Sequence, residues 1–415
     1  MTDDILPVLA SGCNLRTAGR ETGGETVCGA FSTAGRPLFI VGICRGSTSW
    51  RYFCSPGQVA IQVAGGENLH FELARVNFNV SRMNDQLPAV TVLIAARPGQ
   101  VEIKAVTAGR QLDYPPEKLE IIVARGKQPS VQRNQAMRAA RGELIYFLDD
   151  DSTPGPDSLR RTVAAFADPK VQMVGGPNLC PPDAPFLEQV FALVHASWLA
   201  FFSSRARYAP VGARRESGEK ELILCNLIAR RGPMLELGGF NEALYPNEEN
   251  ALMDELKKRG GKLIYDPGLT VFRRPRPSPG AFCKMLLNYG RGRAEQFRVY
   301  PTAGSIANFA PSVLCVYLAA LPVLLWQTHP GVLPLAPLAL YGAALLAQAA
   351  ALVRQGGLVK SICAIPFVVL THVLYGAGFF KGCFTTLKPA GKRPVVEVVL
   401  ENVPLGALKN FGKVE

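Results

Sequence analysis

Three textures of apolar and polar positions follow one another along the chain. Up to residue 85, short alternating runs (Pro37 to Cys44, Gln58 to Ala64, Leu69 to Val80) are separated by turn signals such as Ser55-Pro56-Gly57 and Ala64-Gly65-Gly66-Glu67-Asn68. A period of two bounded by Gly and Pro marks antiparallel strands. Residues 1–85 are therefore expected to form a small β-rich module, whose role the residues do not name. From Val90 the pattern becomes uniformly apolar runs alternating with helical stretches. Strands are expected at Val90–Ala96, Leu119–Ala124, Leu144–Leu148, Val171–Val174 and Lys262–Tyr265. One helix should end at Asp113-Tyr114-Pro115-Pro116 and another should span Val131 to Arg141. Strands apolar on both faces belong inside a parallel sheet covered by helices. The expected class is α/β, with a Rossmann-like, mostly parallel sheet.

The third texture is apolar without interruption, at about 311–328, 332–353 and 358–380. Each segment approaches the roughly 20 residues needed to cross a bilayer. Residues 306–385 should hold two to three membrane helices, which makes the protein multi-pass, in the cell inner membrane. The hairpin Gln327-Thr328-His329-Pro330-Gly331 has no Lys or Arg, whereas Arg354 and Lys360 flank the next turn. The positive-inside rule then places the first hairpin outside and the preceding domain in the cytoplasm. A full crossing by the third segment would carry Lys381, Lys388, Lys392, Arg393, Lys409 and Lys413 outside, against that rule. It is either re-entrant or interfacial, or the tail is an exception. Residues 386–415 read as a basic tail of cytoplasmic type. The apolar stretch Phe186 to Phe202 is interrupted by Glu188, Gln189 and His195, which favours a domain helix over an interfacial one.

At 415 residues the chain exceeds one ordinary domain, and its formal charge of +12 points to anionic partners. No zinc-finger spacing or helix-turn-helix signal is legible, so nucleic acid is not expected as a partner. The ten cysteines are scattered without a CxxC pair and read as free thiols of a reducing compartment. Asp149, Asp150 and Asp151 stand at the end of the Leu144–Leu148 run. Ligands of open α/β sheets bind at the carboxyl ends of the strands. Three carboxylates there suit a hard divalent ion, Mg²⁺ or Mn²⁺, carrying a phosphorylated ligand. The plainer alternative is an acidic turn before a helix near Asp157.

The order of short motifs carries a family resemblance. Val90–Ala96 is followed by Leu112-Asp113-Tyr114-Pro115-Pro116, Arg133-Asn134, Arg141-Gly142-Glu143, the aspartate triplet, Gly238-Gly239-Phe240-Asn241-Glu242 and Asn247-Glu248-Glu249-Asn250. Residues 90 to about 300 thus resemble an inverting, A-type family 2 glycosyltransferase, which places a catalytic domain at 88–305. Tyr289-Gly290-Arg291-Gly292-Arg293 is similar to succinoglycan-type glucosyltransferases. The resemblance implies metal-dependent transfer of one sugar from a nucleotide-diphosphate donor, most simply a UDP-sugar, to a polyprenyl-linked or polysaccharide-precursor acceptor at the membrane. Asp149 and Asp151 would bind metal and phosphate, with Asp150 beside them. The catalytic base would be Glu249, with Glu248 as alternative. Asn226, Gly238 and Gly239 would line the donor sugar, and Arg291 and Arg293 would clamp the diphosphate or anchor lipid headgroups. The usual base-contacting aspartate after the second strand is replaced by the basic loop Arg125-Gly126-Lys127. The Gln-x-x-Arg-Trp motif of processive synthases is absent, which favours single addition over a processive polysaccharide synthase. A non-catalytic assembly subunit is the rival from another class.

Overall fold

The computed structural model describes residues 86–244, 247–301, 303–327, 331–387 and 397–405, together with the backbone of five strands between residues 16 and 64. The chain divides into two compact units, Met1–Asn79 and Val80–Glu415. In the first, β1 (Arg16–Thr17), β2 (Gly29–Thr33), β3 (Arg36–Ile40), β4 (Ser49–Ser55) and β5 (Val59–Ala64) pair antiparallel in chain order. The alternating runs from Pro37 and Gln58 supply β3 and β5; the run Leu69–Val80 lies outside the described residues.

The second unit is built on β6 (Val90–Ala96), β7 (Leu119–Arg125), β8 (Leu144–Asp149), β9 (Thr153–Pro154), β10 (Val171–Gly175), β11 (Asn178–Leu179), β12 (Arg215–Glu216), β13 (Asn226–Arg230), β14 (Lys262–Tyr265), β15 (Val271–Phe272) and β16 (Val399–Asn402). Eight of them form one sheet in the order β12-β14-β10-β13-β8-β6-β7-β16, while β11, β15 and β9 form a small second sheet. Pairings β6–β7, β6–β8 and β10–β14 are parallel. β13 runs antiparallel between β8 and β10, and β16 runs antiparallel beside β7, so the sheet is mixed. The strands are apolar throughout because both faces are covered. Tyr146 and Leu148 enter one core cluster with Val92 and Ile94, while Ile145 and Phe147 enter the other with Leu93. Alternation along the strand survives only as a choice between two cores.

The helices that shape the site are α1 (Pro129–Ala139), α2 (Phe186–Ala196), α3 (Glu248–Lys258) and α4 (Pro279–Val299); then come the apolar helices α5 (Ala310–Gln327), α6 (Ala336–Gly356) and α7 (Leu358–Phe384). Segments Ile306–Gln327, Leu333–Gly356 and Leu358–Phe384 are each long and apolar enough to cross a membrane. Their surroundings differ. α5 buries no residue and α6 only Gln348 and Leu352, whereas α7 buries eight, among them Gly376, Gly378 and Gly382. α7 lies first along α2 and then along α4: Lys360 Nζ donates to Gln189 Oε1 at 2.6 Å, and the Phe191 and Phe367 rings meet edge-on at 5.0 Å. Further on, Arg298 Nη1 donates to the carbonyls of Gly382 and Thr385 at 3.2 and 2.6 Å. A Cβ at Gly378 would stand 2.2 Å from the Leu287 carbonyl oxygen, and one at Gly290 2.0 Å from that of Tyr375. Small residues let the two backbones touch.

The expected basic tail after residue 386 is in part a piece of the sheet. Val399 to Asn402 pair with Arg125 to Ile122, and Glu401 accepts from Arg125 Nε at 2.6 Å. The described cysteines, Cys180, Cys225, Cys283, Cys315, Cys363 and Cys383, are all free thiols; Cys13, Cys28, Cys44 and the side chain of Cys54 lie outside the description.

Candidate active site

β8 delivers Asp149 to its carboxyl end, where the Ser152 amide donates back to the Asp149 carbonyl at 3.0 Å and turns the chain. The Asp150 carbonyl accepts from the Ala105 amide at 3.1 Å, which fixes the loop between them. β9 follows and pairs with β15 in the register Val271↔Pro154 and Phe272↔Thr153. That register sets Arg273, the next residue, beside the aspartates. Arg273 donates from Nε to Asp151 Oδ1 at 2.6 Å, and its Nη1 lies 3.0 Å from Asp149 Oδ2. From the other side Arg133 of α1 donates Nη2 to Asp149 Oδ1 at 3.0 Å and Nη1 to Glu248 Oε1 at 3.1 Å. One guanidinium thereby joins the aspartate loop to the first residue of α3.

These contacts set the protonation of the site. Burial alone would raise the Asp149 carboxyl, but Arg273 and Arg133 hold it below its ordinary value. Glu248, only 2% exposed, goes the other way: burial first, then the charge of Glu249, push it up to about 8 against the pull of Arg133. Its Oε2 has no hydrogen-bond partner. Glu249 is half-buried, and its charge reaches Glu248 and Arg293. The two neighbouring glutamates therefore face different surroundings.

Gly238 and Gly239 both adopt φ of +82°. A Cβ on Gly239 would stand 2.4 Å from Asn134 Oδ1. Asn134 receives the Phe240 amide at 2.8 Å and donates to the Phe240 carbonyl and to Glu242, both at 2.9 Å. The glycine pair thus lets the chain close onto α1 as well as turn.

Three expected donor residues are placed elsewhere. Asn226 is fully buried at the start of β13; it accepts from the Tyr146 hydroxyl at 3.0 Å and donates to the Leu269 carbonyl at 2.7 Å, so its side chain serves the core and not a ligand. Arg293 is buried on α4 and paired with Glu219 at 2.8 Å; Arg291 lies 3.6 Å from Glu295 with α7 against its backbone. The guanidinium groups paired with the aspartates are those of Arg133 and Arg273, not Arg291 and Arg293. Arg273 was missed in the sequence, although Arg273-Arg274-Pro275-Arg276-Pro277 is a dense basic run that prolines keep out of a helix.

Among the described residues no three His, Cys, Asp or Glu side chains converge as a metal cluster. Mg²⁺ and Mn²⁺ do not need one: one or two carboxylates with substrate phosphate oxygens suffice. Asp149 and Asp151 already bracket a single cationic group, the Arg273 guanidinium, and present hard oxygen donors around it. The donor set fits such an ion.

Residues 110–201 match the Glycosyl transferase family 2 domain. Over 152 residues, 34% of this chain, the sequence is 25% identical to the pre-mycofactocin glycosyltransferases of two Mycobacterium tuberculosis strains, CDC 1551 / Oshkosh and ATCC 25618 / H37Rv. The match spans 29% of the length of those relatives. Among solved structures, the mannosyltransferase PcManGT from Pyrobaculum calidifontis, in complex with GDP-Man and Mn²⁺, superimposes with a TM-score of 0.49 at 18% identity, over 72% of this chain and 88% of that one. The S. aureus TarS fragment 1–349 in complex with UDP superimposes with a TM-score of 0.35 at 13% identity, over 70% and 91%. The family 2 match overlies β8, the aspartate loop and α2, within a mixed α/β sheet.

Proposed function

We propose that this chain, whose residues 110–201 carry a glycosyl transferase family 2 domain, moves a single sugar with inversion from a nucleotide-diphosphate donor to an acceptor held at the membrane. The observation that carries the reading is the joining of Asp149-x-Asp151, at the carboxyl end of β8, to Glu248-Glu249 through Arg133. Inversion needs leaving-group stabilisation and a base within one cleft, and these residues supply both chemistries. A Mg²⁺ or Mn²⁺ ion bound by Asp149 and Asp151 would neutralise charge on the departing nucleoside diphosphate. Arg273, between the same two carboxylates, adds a fixed positive charge beside that diphosphate. Glu249, half-buried next to Glu248, takes the acceptor hydroxyl proton as the sugar carbon is attacked. Glu248, buried against Arg133, holds the base end of the cleft to the aspartate end. The donor of choice is a UDP-sugar.

Two contacts support a membrane placement for this reading. β16 is a strand of the same sheet as β8, so the chain enters and leaves the apolar region on one face of the membrane and crosses an even number of times. α7 has polar catalytic-domain partners along its length, from Gln189 to Arg298, which favours a position on the membrane surface. α5 and α6 then form the crossing hairpin, and Lys381 stays on the cytoplasmic side with the catalytic domain. This arrangement avoids the conflict with the positive-inside rule that a third crossing creates.

The test is incubation of membranes containing the chain with a panel of labelled nucleotide sugars and Mn²⁺, following label into lipid extract. Label in a product one sugar long supports the reading; a long polymer points to a processive synthase, and no metal-dependent donor turnover leaves an assembly subunit.

A further inference from the structure

A cavity of about 320 Å³ opens beside Asp151 and is lined by residues of α2 and α4. Its size falls within the range of ligand pockets, about 300–1,000 Å³. Its lining joins Asp151 and Arg273, at the aspartate end, to Glu188, His195, Arg274 and Arg276. α2 and α4 are the two helices on which α7 rests, through the rings of Phe191 and Phe282 against Phe367. The cavity therefore bridges the aspartate loop and the membrane-side helices.

Its charge is unbalanced. Arg273 is paired with the aspartates and Arg274 with Glu188 at 2.6 Å, whereas no described carboxylate forms a salt bridge with Arg276. Arg276 is exposed, and its positive charge reaches both Asp149 and His195. His195 is 5% exposed, stacked on Tyr208 at 4.4 Å, and its Nε2 lacks a hydrogen-bond partner. Burial, then Arg276 and Arg273, push the imidazole down to about 3, so it is neutral at any working pH. A neutral ring with an open nitrogen, beside an unpaired guanidinium, suits an oxygen-rich anion that accepts hydrogen bonds.

We propose that this cavity seats the phosphate of a lipid-linked acceptor, held by Arg276 and by Nε2 of His195, with the lipid leading out along α2 and α4. The word acceptor rests on the transfer reading; the binding site does not. Binding of farnesyl phosphate, farnesol and inorganic phosphate to the purified full-length chain in detergent tests it, with UDP binding measured in parallel. Farnesyl phosphate should bind at least tenfold more tightly than farnesol or inorganic phosphate. Arg276→Gln and His195→Gln should each weaken it about tenfold, the loss of one charge-assisted or buried hydrogen bond, while UDP affinity stays within about twofold and reports an intact fold. Equal binding of farnesol, equal competition by inorganic phosphate, or unchanged farnesyl phosphate binding by Arg276→Gln overturns the proposal. A parallel loss of UDP binding also overturns it and makes Arg276 a donor clamp. If farnesyl phosphate binding depends on Arg276 yet no nucleotide sugar is turned over, the site stands and the transfer reading falls.

Discussion

Replacing Glu248 with glutamine exchanges a buried carboxyl for an amide of nearly the same shape and removes one titration. In the folded protein this carboxyl sits at about 8, against an ordinary 4.5. At pH 7 the folded protein therefore keeps a proton that the unfolded chain has released. A folded pKa raised above the unfolded one means folding takes up a proton, so stability declines as pH rises from about 4.5 to about 8. Between pH 5 and pH 7 the decline amounts to about 3 kcal/mol, two pH units at about 1.4 kcal/mol each. At about 2 °C per kcal/mol for a unit of this size, wild type should lose roughly 5 °C of Tm over that interval relative to Glu248→Gln. The assay is thermal unfolding of the two purified proteins across matched buffers, read as the difference between their curves. Parallel curves from pH 5 to pH 8 would refute the buried, raised carboxyl and with it the division of labour between Glu248 and Glu249.

Other outcomes follow from the same geometry. Asp151→Asn should abolish donor turnover while the protein still inserts in membranes, and chelation should silence wild type until Mn²⁺ is restored; turnover unaffected by either removes the metal assignment. Glu249→Gln should lower kcat by about 10² or more, as loss of a general base does, with donor KM unchanged, and a loss confined to Glu248→Gln moves the base by one residue. Gly378→Val puts a side chain into the Leu287 carbonyl, 2.2 Å from its first carbon. It should detach α7 from α4 and lower thermal stability by several degrees, whereas Gly232→Ala, with open space around it, should change nothing measurable.

What the sequence disclosed and what it hid divide along contact range. The aspartate loop was legible because both signals, an apolar strand and the carboxylates after it, are neighbours in the chain. Arg273 lies 122 residues from Asp151, and the pairing of two-residue strands β9 and β15 brings them together. Asn226 resembled a ligand contact, yet it opens a strand buried on both faces, where a side chain has no direction toward solvent. Arg293 reads as a clamp because a guanidinium matches phosphate geometry; in the fold it is buried on α4 and Glu219 neutralises it. Residues 398–402, Val-Val-Leu-Glu-Asn, are too short and too near the end to announce a sheet strand whose partner is over 270 positions away.

That last strand has a consequence for assembly. β7 is made early, but its outer edge stays open until residues beyond the apolar helices have been synthesised. On the proposed topology the sheet reaches its final width only after α5, α6 and α7 have been made, because β16 follows them in the chain. An exposed row of amides and carbonyls is an invitation to wrong partners, and β16 closes that row late. A chain cut short before Val399 would leave the outer edge of β7 without its partner.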